Sequence, residues 1–157
     1  MNTFDDIRDH LRRDHEATLA ELDALRGAVD DAGARARLQK LRRAWVTHAL
    51  AEEAVVYRAL EGAEATASSS DVSVRFVEHR RADGLFEKVL RHRAGTREWK
   101  DRLDVLRDFV ARHVATEQDG TFIRLAGKLD DDGLCEMGRR FASARGKLLM
   151  LEQAKAA

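Results

Sequence analysis

Residues 47–60 read THALAEEAVVYRAL. In a helix this places His48 and Glu52 one turn apart on the same face. One such pair means little in a chain with 28 acidic residues, but the pattern returns as His113-Val-Ala-Thr-Glu117. The flanks return with it: Leu38, Leu41, His48, Glu52, Tyr57 and Leu60 correspond, at a constant offset of 65, to Leu103, Leu106, His113, Glu117, Phe122 and Leu125. A lone histidine precedes each pair, His15 by 33 residues and His79 by 34, and Leu22 aligns with Phe86. The chain therefore reads as a duplicated two-helix unit.

Composition agrees with helices. The 157 residues are 44% apolar and 36% charged and contain no proline, which favours long amphipathic helices and an all-α class. A chain of this length buries roughly two thirds of its unfolded surface, so a bound metal would be functional before it was structural. With 28 basic against 28 acidic residues and no basic block, neither nucleic acid nor an anionic membrane is an expected partner. The N-terminus is charged from its fifth residue and no apolar run approaches a signal or membrane span, so a cytoplasmic location is expected. The lone Cys135 cannot form a disulfide within the chain and is assigned no role.

Helix signals divide the chain further. Thr3 is an expected N-cap for a first helix that stops at Gly27, with Ile7, Leu11, Leu22 and Leu25 in phase. The second runs from about Ala34 to Glu61, with Leu38, Leu41, Trp45, Val55 and Ala59 on one stripe, and a serine-rich loop comes next over 63–70. Asp71 or a preceding serine caps the third, which stops near Gly95. Thr96 opens the fourth, and GKLDDDG over 127–133 closes it. Helices this long joined by short turns predict an up-down-up-down four-helix bundle over about 3–127. An additional C-terminal helix over about 131–153, with Leu134, Met137, Phe141, Leu148 and Leu151 apolar, serves as a cover or as an interface for a homo-oligomer, all within a single domain spanning 1–157.

At 100° per residue, His15 lies within about 40° of Ile7, Leu11 and Leu22, and so faces the core. His48 and Glu52 share the face of Leu41 and Val55, His79 that of Phe86, and His113 and Glu117 that of Trp99 and Leu106. The remaining histidines, His10 and His92, lie about 140° from His15 and His79 and read as solvent-facing controls. Tyr57 falls nearly opposite His48 and is left outside the site. Offsets along an antiparallel bundle agree within about a turn, so six ionisable groups can meet in one layer. A metal-free network of His–Glu pairs is one way to satisfy them; metal ligation satisfies all six at once.

Imidazole and carboxylate without thiolate suit iron, manganese or zinc, and six protein ligands exceed one tetrahedral zinc, which implies two metals. Two bridging carboxylates, four histidines and an oxo or hydroxo bridge leave open positions for a small ligand. The pattern resembles the hemerythrin-like, or HHE cation-binding, domains: DHE around His15, HALAEEAVVYRAL around His48, EHRR around His79, HVATEQDGTF around His113, with LCEMGRRFASAR similar to a C-terminal element of that family. The resemblance implies a non-haem di-iron centre, two iron ions with His15, His48, His79 and His113 as terminal ligands and Glu52 and Glu117 as bridges. Where oxygen-carrying members have a second histidine on the third helix, this chain has Asp83, about 40° from His79 on the wheel and therefore a further ligand, a group that orients a histidine from behind, or a solvated aspartate. Three readings stand side by side: a module that binds or senses dioxygen or nitric oxide or handles iron, an enzyme that decomposes peroxide or reduces nitric oxide with Asp83 as proton donor, and a metal-free or zinc-loaded bundle acting through its last helix.

Overall fold

The computed structural model describes residues 5–61 and 69–156, and all regular structure among them is helical. Helix α1 is Ile7–Arg26. Helix α2, Asp31–Glu52, continues without a break through a π-helical stretch, Glu53–Tyr57, into a last turn, Arg58–Glu61. Helix α3 is Ser69–Leu90, α4 is Arg97–Asp119, α5 is Thr121–Lys128 and α6 is Asp131–Ala156. Helices α1 to α4 form the expected ring, with α1 against α2 and α4, α3 against α2 and α4, and α6 laid along α1 and α2. None of the described helices is long and apolar enough to cross a membrane.

Helix starts are set by side-chain capping, with small shifts from the sequence reading. Asp6 caps α1 by accepting from the Arg8 and Asp9 N–H groups, and Thr3, the expected cap, lies outside the described residues. Asp30 caps α2 through the Gly33 N–H, which starts that helix three residues before Ala34. Thr96 caps α4 through the Trp99 N–H, as expected. Most of the 63–70 loop is likewise outside the described residues, and α3 is already helical at Ser69, ahead of Asp71. α3 ends at Leu90 rather than near Gly95; Gly95 instead supplies the left-handed residue (φ 82°) of the turn into α4.

The core is divided in two. One cluster holds Leu22, Leu38, Trp45, Phe86, Trp99 and Leu103; the other holds Ile7, Leu11, Val56, Tyr57, Phe122 and Phe141. Along the chain the inward histidines and glutamates fall near the change from one cluster to the other: between Leu11 and Leu22 in α1, Trp45 and Val55 across α2 and its π-helical stretch, Phe76 and Ala82 in α3, and Val110 and Phe122 across α4 and α5. The polar layer therefore has apolar packing on both sides. The first half of α6 completes the second cluster with Leu134, Met137 and Phe141, and the buried Cys135 lies beside them in sequence; Leu151, expected to be apolar and inward, is 59% exposed.

α6 approaches α1 backbone to backbone at Gly138, where a Cβ would stand 2.7 Å from the Asp5 carbonyl oxygen and 3.1 Å from His10 Cδ2. Gly146, two turns on, has nothing within 4 Å. Gly146→Ala is thus expected to stabilise the chain by about 0.5–1 kcal/mol through helix propensity alone. Gly138→Ala should reverse the sign and cost about 1–3 kcal/mol, because a backbone carbonyl must move; chemical denaturation of the two variants checks both.

Candidate metal centre

The six groups expected to face inward all do, with His15 1%, His48 2%, Glu52 0%, His79 3%, His113 2% and Glu117 0% exposed. They converge in one layer with the symmetry of the duplication. Glu52 Oε2 stands 3.6 Å from His48 Nε2 and 3.3 Å from His79 Nε2; Glu117 Oε2 stands 3.6 Å from His113 Nε2 and 3.4 Å from His15 Nε2. Each carboxylate thus lies between a histidine of its own helix and one from another repeat element. Trp45 packs against all four imidazoles with ring centroids 5.6–6.5 Å apart. It closes the layer on the side of the first apolar cluster.

The outward nitrogens are held separately. His48 Nδ1 meets Asp14 Oδ2 at 3.0 Å, His79 Nδ1 meets Glu53 Oε1 at 3.0 Å and His113 Nδ1 meets Glu78 Oε2 at 3.2 Å. A carboxylate at Nδ1 fixes the proton there and leaves the Nε2 lone pair aimed inward, the usual support of a metal-binding histidine. His15 is the exception: its Nδ1 has no partner, and its Nε2 faces His48 Nε2 at 3.1 Å, so His15 is the donor of that pair.

Both oxygens of Glu52, both of Glu117, and Nε2 of His79 and of His113 are buried without a hydrogen bond. Their contacts with one another are too long or too poorly aligned to count as such bonds. An unpaired buried carboxylate costs several kcal/mol, and the electrostatics of the metal-free layer show the conflict. Burial pushes Glu117 well above the ordinary carboxyl range, and the charge on Glu52 adds to it. Burial opposes ionisation of Glu52 also, yet Glu117 beside it and the histidines His79 and His48 hold it well below that range. Burial, with His48 next to it, lowers His15 far below the ordinary imidazole value, and burial lowers His113. Divalent cations would answer all of these at once, since carboxylate oxygens and neutral imidazole nitrogens are their natural donors. Two groups, His15–His113–Glu117 and Glu52–His79–His113, each bring three donor atoms within 4.8 Å of one another, close enough to hold a metal ion.

Residues 6–125 match the hemerythrin HHE cation-binding domain. The chain belongs to this family. No curated protein and no solved structure matches the chain. The hemerythrin match ends within α5 and leaves α6 outside it.

Among the other expected residues, Asp83 is not brought into the layer. Arg42 engages both its oxygens on the surface, Nη2 at 3.0 Å from Oδ2, and Glu87 joins the same guanidinium at 2.7 Å. The nearby arginine outcompetes the approach to His79 that the helical wheel allowed. His10 and His92 stay out of the layer as expected, though both are half-buried, His10 against Phe141 and His92 in the α3–α4 turn.

Tyr57 is the residue that sequence reasoning missed. It is 1% exposed, its ring stacks on His79 with centroids 5.8 Å apart, and its hydroxyl has no partner. The π-helical stretch Glu53–Tyr57 explains this: it inserts one residue into the turn and so rotates the rest of the helix by about 100°. Tyr57 and Leu60 turn inward, while Ala59, expected on the apolar stripe, is exposed. Burial first, then the charges of Glu52 and Glu117, push the phenol well above its ordinary value, so it stays a donor. Tyr57→Phe should therefore stabilise the metal-free chain by about 1 kcal/mol, the relief of one orphaned hydroxyl, a gain that denaturation in the presence of a chelator would measure.

Burial opposes protonation of His79, but the carboxylates of Glu52, 3.3 Å from its Nε2, and Glu53, bonded to its Nδ1, raise it from 6.5 to about 9. The raised value stabilises the metal-free chain fully below pH 6.5, and that contribution is lost as pH climbs through about 9. The stability gap between wild type and His79→Gln is expected to shrink by about 3 kcal/mol between about pH 6 and pH 9.5; a gap independent of pH would show that His79 is neutral throughout.

Proposed function

We propose that the layer holds two non-haem iron ions and that the centre binds a small diatomic ligand, dioxygen or nitric oxide, or handles iron. In this reading His15, His48, His79 and His113 are terminal ligands and Glu52 and Glu117 are bridges. One observation carries it: four carboxylate oxygens buried without a partner among four imidazoles, three of which are braced from outside by carboxylates. Bound iron supplies Lewis acidity, one-electron chemistry and open coordination positions for a small molecule.

The protein's own contribution is orientation and exclusion. Asp14, Glu53 and Glu78 keep three imidazoles turned inward, while Trp45 and the two apolar clusters keep bulk water from the layer. A groove between α2 and α3, lined by Val46, Leu50, Glu53 and Asp83, reaches His79 from the surface.

A specific observation favours the second reading, an enzyme that decomposes peroxide or reduces nitric oxide. Turnover needs a proton donor at the layer, and Tyr57 offers a buried, protonated hydroxyl there, whereas Asp83 is held by Arg42. Consumption of peroxide or nitric oxide that falls in Tyr57→Phe, with metal content unchanged, would select the enzyme; simple binding would select the carrier or sensor.

Metal content by mass spectrometry, with the near-ultraviolet and visible spectrum of aerobically purified protein, tests the common premise. About two irons per chain are expected, with His113→Ala and Glu52→Ala losing most of them and His10→Ala none. Absence of iron after anaerobic reconstitution with ferrous ion would point to zinc or to a purely hydrogen-bonded layer.

A further inference from the structure

Two of the carboxylates that brace the histidines are themselves held by arginine, but the arginines come from different places. In the second repeat Arg75 Nη1 lies 2.8 Å from Glu78 Oε2, the oxygen that also meets His113 Nδ1. That arginine is one turn before Glu78 on α3. In the first repeat Asp14 takes the place of Glu78, and the position one turn before it is Leu11, fully buried in the apolar core. The arginine is supplied instead by α6, as an ion pair and not as an aligned hydrogen bond: Arg145 Nε lies 2.8 Å from Asp14 Oδ2, the same oxygen that His48 Nδ1 meets at 3.0 Å. One turn earlier on α6, Phe141 packs edge-on against the His48 ring, with centroids 5.6 Å apart at 78°. The C-terminal helix, which the family match does not cover, thus addresses His48 twice.

We propose that α6 is a part of the metal centre and that Arg145 is a positioning residue, holding Asp14 and through it aiming His48 Nε2 into the layer. This rests on the metal reading above. Asp14 has a side chain 21% exposed, so without Arg145 it can rotate toward water and release the imidazole. Residues that orient a ligand from outside typically change metal affinity by about 10- to 100-fold.

The test uses the full chain and ferrous ion or zinc alone as probe, with affinity read by competition against a chelator and the melting temperature of the metal-free protein recorded beside it. Arg145→Leu is expected to weaken binding about tenfold, with Arg145→Lys recovering part of the loss and Lys147→Ala, exposed on the same helix, showing none. In an Asp14→Asn background Arg145→Leu should add nothing further, because both changes break one chain of contacts. Unchanged affinity in Arg145→Leu, or losses that add, would overturn the proposal and leave Arg145 a surface ion pair seen only in the melting temperature. Should Arg145→Leu not fold, Arg145→Lys carries the same comparison. A wild-type chain that binds neither ion would overturn the reading of the site itself, and this inference with it.

Discussion

Glu52 and Glu117 lie deep in the bundle with no hydrogen-bond donor for any of their four oxygens, and the rest of the molecule is arranged around them. Leucines in their place would have joined the two apolar clusters into one continuous core at lower cost. The chain instead interrupts its core at the same level in all four bundle helices, lines the gap with imidazoles and braces three of them from outside. Stability on either side, from Trp45, Phe86 and Trp99 above and Ile7, Phe122 and Phe141 below, is what allows the polar layer to be kept.

The duplication supplies the layer with approximate twofold order, and its departures from that order are informative. Both repeats depart from the regular α-helix just after their His-x-x-x-Glu motif, but by different means: the first inserts a residue as a π-helical stretch, the second breaks at Gly120 between α4 and α5. The first device turns Tyr57 onto His79. Phe122, its counterpart after the second, shares the apolar cluster with Tyr57. Bracing is uneven also, with His48 and His113 on arginine-held carboxylates, His79 on Glu53, and His15 on none. The four histidines are therefore not equivalent, and the two halves of the layer differ in their surroundings.

Much of this was legible in the sequence because it obeys a 3.6-residue period. The four helices, their order and the six inward groups all come from phase and offset, since each holds its register from cap to motif. The failures have local causes. The inward turn of Tyr57 and Leu60 and the outward turn of Ala59 depend on one inserted residue, which leaves no mark in composition or spacing. Asp83 lay at a permissible angle, but a wheel does not show that Arg42 from the neighbouring helix reaches it first. Asp14, Glu53 and Glu78 stand directly beside motif residues and were visible as letters; which histidine each one serves depends on helix packing. The pairing of Arg145 with Asp14 joins residues more than a hundred positions apart, and no repeat points to it.

If paired metal ions lie between Glu52 and Glu117, diffraction from crystals of the iron-reconstituted chain, recorded on both sides of the iron absorption edge, will locate them. Two anomalous peaks within the layer, each in contact with both carboxylates and flanked by the Nε2 atoms of the four histidines, are expected. A layer without an anomalous peak, with iron found only at surface carboxylates or not at all, would contradict it.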